Sequence, residues 1–393
     1  MSKTSRLFHT VSMNRREFTC IMAGATVSAL VPSPSARTQQ SSSNGSAVSS
    51  SAAELYRRAF VLDCNSGPPR WTYTTQEGHL PLPQSDLDMV RDSGVDVAKW
   101  SLGGADFAET VKDIAYVQQM IEVHSAYFMQ VRIPADMDRA KRDRRMGIIF
   151  SFESVDMLEG KLERIELFRN LGVRVMQLSY NRKSPFGAGV MEPNGGGLTP
   201  LGHEAVKTMN ARGIAIDLSH ANPQTTSDAI AASSRPVIMS HAGCAAVHQH
   251  PRNKTDEQLR ALAAKDGVVG IYDLPFLAAS PKQPTLDDYM AHMEHALNVA
   301  GEDHVGVGSD VPINPFDTSP KGMAELNKVE EERQRSGLAA PEEDRPVYVI
   351  GLNVPRKIEI IADQLLKRGR PARAVEKIVG GNFARVLNEV WTT

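Results

Sequence analysis

From about residue 53 onward, short apolar runs rich in β-branched residues alternate with longer stretches whose apolar positions recur every three or four residues. Continuous apolar runs suit strands buried on both faces, and a 3.6-residue period suits helices that lay one face on them. Eight such runs occupy residues 60–63, 95–102, 147–153, 174–180, 214–220, 236–241, 267–272 and 304–310. Between them lie helical patterns such as 200–212, where Leu201, Ala205, Val206 and Met209 share a face and Gly213 marks the end. Repeated βα units predict an α/β fold with a parallel sheet, and a count of eight predicts a closed (β/α)8 TIM barrel. An open doubly wound sheet is the alternative. Residues 312–345, polar and containing Glu330-Glu331-Glu332-Arg333, are too long for an ordinary βα loop. They read as a helical insertion over the barrel mouth, a candidate lid, with a solvated helix of no particular role as the alternative.

The chain start has a different pattern. Asn14-Arg15-Arg16-Glu17-Phe18 precedes an apolar run at 21–31 and small residues ending near Ala36. This looks like a twin-arginine export signal over residues 1–40, rather than a short buried helix, and predicts a periplasmic or otherwise exported protein. Residues 41–52 are Ser-rich and read as a linker, leaving 53–393 as the folded domain. No apolar run of about 18 residues follows the signal, so no mature membrane anchor is expected.

Composition narrows the ligand. The 393 residues carry 44 basic and 46 acidic side chains, a net charge of −2. That length can bury a sizeable core, and the balance gives no nucleic-acid footprint and no polybasic membrane patch. A small molecule or peptide is the expected partner. Of three cysteines, Cys20 lies in the export signal, so only Cys64 and Cys244 remain, and no disulfide framework exists. A single bridge between them stays open. Cys64 is read as a small buried hydrophobe, with zinc ligation as the alternative.

Candidate chemistry gathers at one end of the predicted strands. Glu153, His220, His241 and Asp310 stand at or beside strand carboxyl ends, which converge on the active-site face of a barrel. A lone histidine there is usually structural, but two occur in successive strands after matching lead-ins, Leu218-Ser219-His220 and Met239-Ser240-His241. Glu153, His220 and His241 make a carboxylate-and-two-imidazole zinc set. Three protein ligands leave a fourth position for water, whose pKa the metal lowers to about 7. Asp310, next to that position, reads as the general base that later protonates the leaving amine, with a helix-capping carboxylate as its alternative role. Arg252, in His250-Pro251-Arg252-Asn253, could grip a substrate carboxylate through paired hydrogen bonds, or be an ordinary surface arginine.

Several stretches together resemble the membrane (renal) dipeptidase family of the amidohydrolase superfamily. They are Gly172-Val173-Arg174 with Leu178, the run 213–220, Pro236-Val237-Ile238 with Ser240-His241, Pro251-Arg252-Asn253, the run 304–310, and Gly380-Gly381-Asn382-Phe383. The resemblance implies a two-metal site in which the glutamate matching Glu153 is shared and the histidines matching His220 and His241 hold the second metal. It implies that Arg252 binds the free carboxylate of a dipeptide, that Asp310 supports the first metal and proton transfer, and that a homodimer is possible.

Three departures alter that expectation. The family's first strand ends Asp-Gly-His-x-Asp, whereas this chain reads Asp63-Cys64-Asn65-Ser66-Gly67, so an amide and a glycine replace the ligands of the first metal. One Zn2+ per chain is expected, not two, as an amide is a poor ligand for such ions. Bacterial N-acetylglucosamine-phosphate deacetylases show a similar Glu-His-His-Asp pattern and work with one metal. Tyr180 stands where the family has a histidine that contacts the tetrahedral intermediate, and its phenol can still donate to an oxyanion. Val311-Pro312-Ile313 replaces Phe-Asp-Gly at the mouth. The expected function is hydrolysis of a dipeptide or small amide with a free carboxylate. The alternative is a non-hydrolytic homologue that binds or matures an exported peptide natural product such as a siderophore.

Overall fold

The computed structural model describes residues 48–68, 80–104 and 106–391. The residues read as an export signal therefore lie outside the described residues, as do most of those read as a linker. Its last residues do not behave as a linker: a helix starts at Ser50, ahead of the expected boundary at 53, and runs to Arg58. Ser49 caps it, and the same hydroxyl donates to Asp363 Oδ1 at 2.7 Å, fastening the entry to the body of the domain.

Among the described residues nine strands follow in chain order: β1 (Leu62–Asp63), β2 (Val97–Leu102), β3 (Phe128–Gln130), β4 (Met146–Phe152), β5 (Val173–Gln177), β6 (Ala215–Asp217), β7 (Ile238–Ala242), β8 (Val268–Ile271) and β9 (Val305–Val307). All pairings are parallel, in the order β1-β2-β4-β5-β6-β7-β8-β9. The ends of that path meet where Cys64 N–H donates to Val307 O at 2.9 Å, which makes the sheet a nearly closed barrel rather than an open one. These eight strands coincide with the eight predicted runs. The ninth, β3, was not anticipated: it pairs only with the first residues of β4, on the side that β5 takes further along. A three-residue strand is too short to show a period.

Alternation along the strands sorts the barrel interior into layers. At the amino-terminal end Val97, Ile149, Val175, Ala215, Ile238 and Val268 pack with Phe383, Val386 and Leu387 of the C-terminal helix Asn382–Trp391, a dry floor. Two residues further along, the same faces carry Lys99, Ser151, Gln177, Asp217 and Ser240, all fully or almost fully buried. Lys99 Nζ lies 3.6 Å from Asp217 Oδ2 across the barrel. One step higher stand Ser101 and Glu153. The apolar floor thus supports a polar middle layer, and the carboxyl ends rest on that.

Cys64 and Cys244 are both free and buried, so no bridge joins them. Burial pushes the Cys64 thiol up, as suits a small core residue. Helix Pro320–Ser336 of the insertion buries Leu326, Val329 and Arg333 against the mouth, so it is no free solvated helix. Among the described residues no helix is long and apolar enough to cross a membrane.

Candidate metal centre

Glu153 follows β4, His220 follows β6 and His241 lies within β7. Ligand atoms of the three all fall within 4.8 Å of one another, and all three residues are buried. His220 Nε2 is 3.7 Å from Glu153 Oε2, and the two imidazoles meet edge to face at 5.1 Å. Asp310 follows β9 with φ of 60°, held there as its N–H donates to Asn65 O at 2.7 Å. Its Oδ2 lies 3.8 Å from His241 Nε2. Left-handed backbone is uncommon outside glycine and costs on the order of 1–3 kcal/mol, although aspartate tolerates it better than most. Here it turns the carboxylate toward the centre.

A repeated local device aims these side chains. In Ser219-His220, Ser240-His241 and Ser309-Asp310 the serine before the site residue is bound by a buried aspartate at a strand end, Asp217 of β6 for the first two and Asp63 of β1 for the third. Asp217 Oδ1 accepts Ser219 Oγ at 2.6 Å and the N–H groups of Ser219 and Ser240 at 3.1 and 3.0 Å, and Ser240 Oγ donates to Oδ2. Asp63 accepts Ser309 N–H at 2.9 Å and also its hydroxyl. Sequence reasoning noticed the twin lead-ins but missed these aspartates. The recurring serine one residue ahead was the available signal. Lys254 was missed too: fully buried, it donates to Leu218 O and Ala221 O, both at 2.9 Å, clamping the loop around His220.

Hydrogen bonding fixes both tautomers. The hydroxyl proton of Ser240 goes to Asp217, so Ser240 Oγ must accept Nδ1–H of His241, 2.8 Å away. Asn181 Nδ2 donates to Leu338 O at 3.2 Å, so its Oδ1 accepts His220 Nδ1–H at 2.8 Å. Both Nε2 lone pairs then face the centre, where that of His220 accepts Arg252 Nη1–H at 3.1 Å. Two neutral imidazoles with committed outer nitrogens, plus a carboxylate, are a donor set suited to zinc.

The place expected of a first metal is taken differently. Asn65 Nδ2 donates to Glu153 Oε1 at 2.8 Å and Asp310 Oδ1 at 2.6 Å, and Ser101 Oγ donates to Glu153 Oε1 at 2.8 Å. An amide N–H2 stands between the two carboxylates where a cation would bridge them, so these residues do not fit a second ion.

Arg252 is 3% exposed, with Nη1 3.1 Å from His220 Nε2. Its Nε and Nη2, one edge of the guanidinium, have no hydrogen-bond partner among the described residues. Tyr180 stacks on His220 at 4.1 Å and 25°, and hydrogen-bonds Arg333 of the insertion helix. Tyr180, Arg252 and Asp310 line one chamber with Leu274, Phe276, Leu326 and Glu330. All six residues singled out from sequence thus lie at this mouth.

The sequence profile of membrane dipeptidase (peptidase family M19) matches residues 52–332. The chain belongs to this family. An amidohydrolase from Pseudomonas aeruginosa shares 30% identity and the same fold, with a TM-score of 0.75 over 87% of this chain and 99% of that one. Dipeptidase tcpJ of Claviceps purpurea is 29% identical over 289 residues, 73% of this chain, which spans 61% of that relative's length. A metallo peptidase from Rhodobacter sphaeroides, liganded with a phosphinate mimic of the dipeptide L-Ala-D-Ala, shares the fold at 20% identity and a TM-score of 0.67, over 84% of this chain and 99% of that one. This member of the dipeptidase family therefore shares the barrel of its solved relatives.

Two buried histidines beside the centre set an acid limit on stability. His250 Nε2 donates to Pro341 O at 2.7 Å while Nδ1 accepts Arg252 N–H at 3.2 Å; His292 Nε2 donates to Leu277 O at 3.0 Å while Nδ1 accepts Cys244 N–H at 2.9 Å. Burial lowers both to about 4. With the folded pKa below the unfolded value of about 6.5, the unfolded chain binds protons first as pH falls. The contribution is intact above about 6.5 and lost down to about 4. Thermal melts should show Tm falling across that window; a flat Tm from pH 7 to 4.5 would contradict the neutral assignment.

Proposed function

We propose that this dipeptidase-family member is an exported hydrolase that uses one zinc ion per chain to cleave a dipeptide or other small amide carrying a free carboxylate. The observation that carries the reading is the convergence of Glu153, His220 and His241, with both Nε2 atoms facing inward, beside the unpaired edge of Arg252. Glu153, His220 and His241 would hold the zinc, which would supply a Lewis acid and lower the pKa of a water at its open position.

The remaining work falls to the chain itself. Arg252 offers Nε–H and Nη2–H side by side, the geometry that receives a carboxylate in two parallel bonds. Asp310 takes a proton from the attacking water and returns it to the leaving amine. Tyr180 accepts from Arg333, which leaves its hydroxyl proton for the oxyanion that forms at the scissile carbonyl. The insertion helix excludes bulk water. Export and assembly as a homodimer belong to the same proposal.

A second reading, a non-hydrolytic homologue that binds or matures an exported peptide natural product, is favoured by one observation, the Asn65 amide between Glu153 and Asp310. Elemental analysis separates the two. Purified protein should hold about one zinc per chain, lost in His220→Ala. Two ions would overturn the single-metal site, and none after incubation with zinc would favour the second reading.

A further inference from the structure

Two ionisable side chains in the chamber over the metal centre, Arg252 and Glu330, have buried polar atoms with no hydrogen-bond partner among the described residues. Arg252 presents the bare edge described above. Glu330, on the insertion helix, has its Oε1 buried with no hydrogen-bond partner among the described residues. The cations near Glu330 are already engaged. Arg333 makes a two-pronged pair with Glu343, at 2.6 and 3.1 Å, and Arg345 donates to Ala278 O at 2.9 Å and to Asp344 at 3.0 Å. The walls between are apolar, with Leu274, Phe276, Leu326 and Val347. Burial, with Glu343 and Asp344 nearby, raises Glu330 to about 7, the response of a carboxylate lacking a cation. Buried charges are ordinarily paired, and here the outstanding partners are one anion for Arg252 and one cation for Glu330.

We propose that Glu330 is a specificity-determining residue that receives an ammonium group of the substrate, so that the site takes zwitterionic dipeptides in preference to N-acylated amino acids. This rests on the reading of the chamber as the substrate site of an amide hydrolase. A dipeptide with free termini carries both missing charges, whereas an N-acyl amino acid satisfies Arg252 and leaves the buried Oε1 of Glu330 without a partner. The location supports the assignment. The enclosed space is about 50 Å³ with the helix seated, room for a few waters, so a dipeptide enters only as the helix lifts. A carboxylate on that helix rewards closure when an ammonium is present, which couples recognition to exclusion of water.

The test uses the full zinc-loaded protein and two probes that are not turned over, a phosphinic analogue of alanyl-alanine and its N-acetylated counterpart, with affinities read by calorimetry. Wild type should bind the free-amino probe roughly 10- to 100-fold more tightly, the worth of a charge-assisted hydrogen bond in a dry site. In Glu330→Gln that preference should collapse through weaker binding of the amino probe, with the acetylated probe little changed. A Tm equal to wild type checks that the variant folds. The inference is overturned if Glu330→Gln weakens both probes alike, if the preference survives, or if wild type does not discriminate. Turnover is scored separately. A charge preference without hydrolysis of any dipeptide would sink the hydrolase reading and leave this one standing. Equal hydrolysis of dipeptides and N-acyl amino acids would do the reverse.

Discussion

Asp310→Asn should lower kcat for a dipeptide substrate by roughly 10²- to 10⁴-fold while zinc content stays at the wild-type level. The substitution keeps shape and removes basicity. Asparagine accepts left-handed backbone as readily as aspartate, so the φ of 60° and the Asn65 O contact survive, and the new amide oxygen can still accept Asn65 Nδ2–H. What disappears is a carboxylate able to hold a proton 3.8 Å from His241 Nε2. The ion should stay because its three ligands come from Glu153, His220 and His241. Steady-state kinetics with elemental analysis of the same preparation decides. A kcat within tenfold of wild type would remove Asp310 from proton transfer, and loss of zinc would place it among the ligands.

Asp217→Ala should cost roughly 3–5 kcal/mol of folding stability, on the order of 10 °C in Tm, and weaken zinc binding roughly 10- to 100-fold. Both effects come from one carboxylate. Asp217 faces Lys99 in the polar middle layer, and its removal leaves an ammonium that is entirely buried. The same carboxylate accepts from the hydroxyls of Ser219 and Ser240, which orders the loop of His220 and fixes the tautomer of His241. Glu204→Ala, at the surface pair with Lys207, is the control. That pair spans 4.0 Å with both side chains well exposed, so its loss should leave Tm where it was. Equal Tm shifts for the two variants would show that the middle layer is not the keystone described here.

Much of this protein was legible in the sequence alone. Parallel strands covered on both faces read as continuous apolar runs, and the eight barrel strands appeared as such, whereas β3 gave no period of its own. Because strand carboxyl ends converge in a closed barrel, placing Glu153, His220, His241 and Asp310 at those ends placed them together. That Asn65 and Gly67 stand just after the first strand could be read off directly. What the Asn65 amide then does, donating to carboxylates 88 and 245 residues away, was settled only by the tertiary fold. So were the commitment of Asp217 to two serines at once, the tautomers set by Asn181 and Ser240, and the seat of Glu330 in the chamber. Local pattern reports which face of an element is apolar. Hydrogen bonds and charge pairs between distant segments depend on angstrom-level placement, and that is decided when the barrel closes and its mouth is covered.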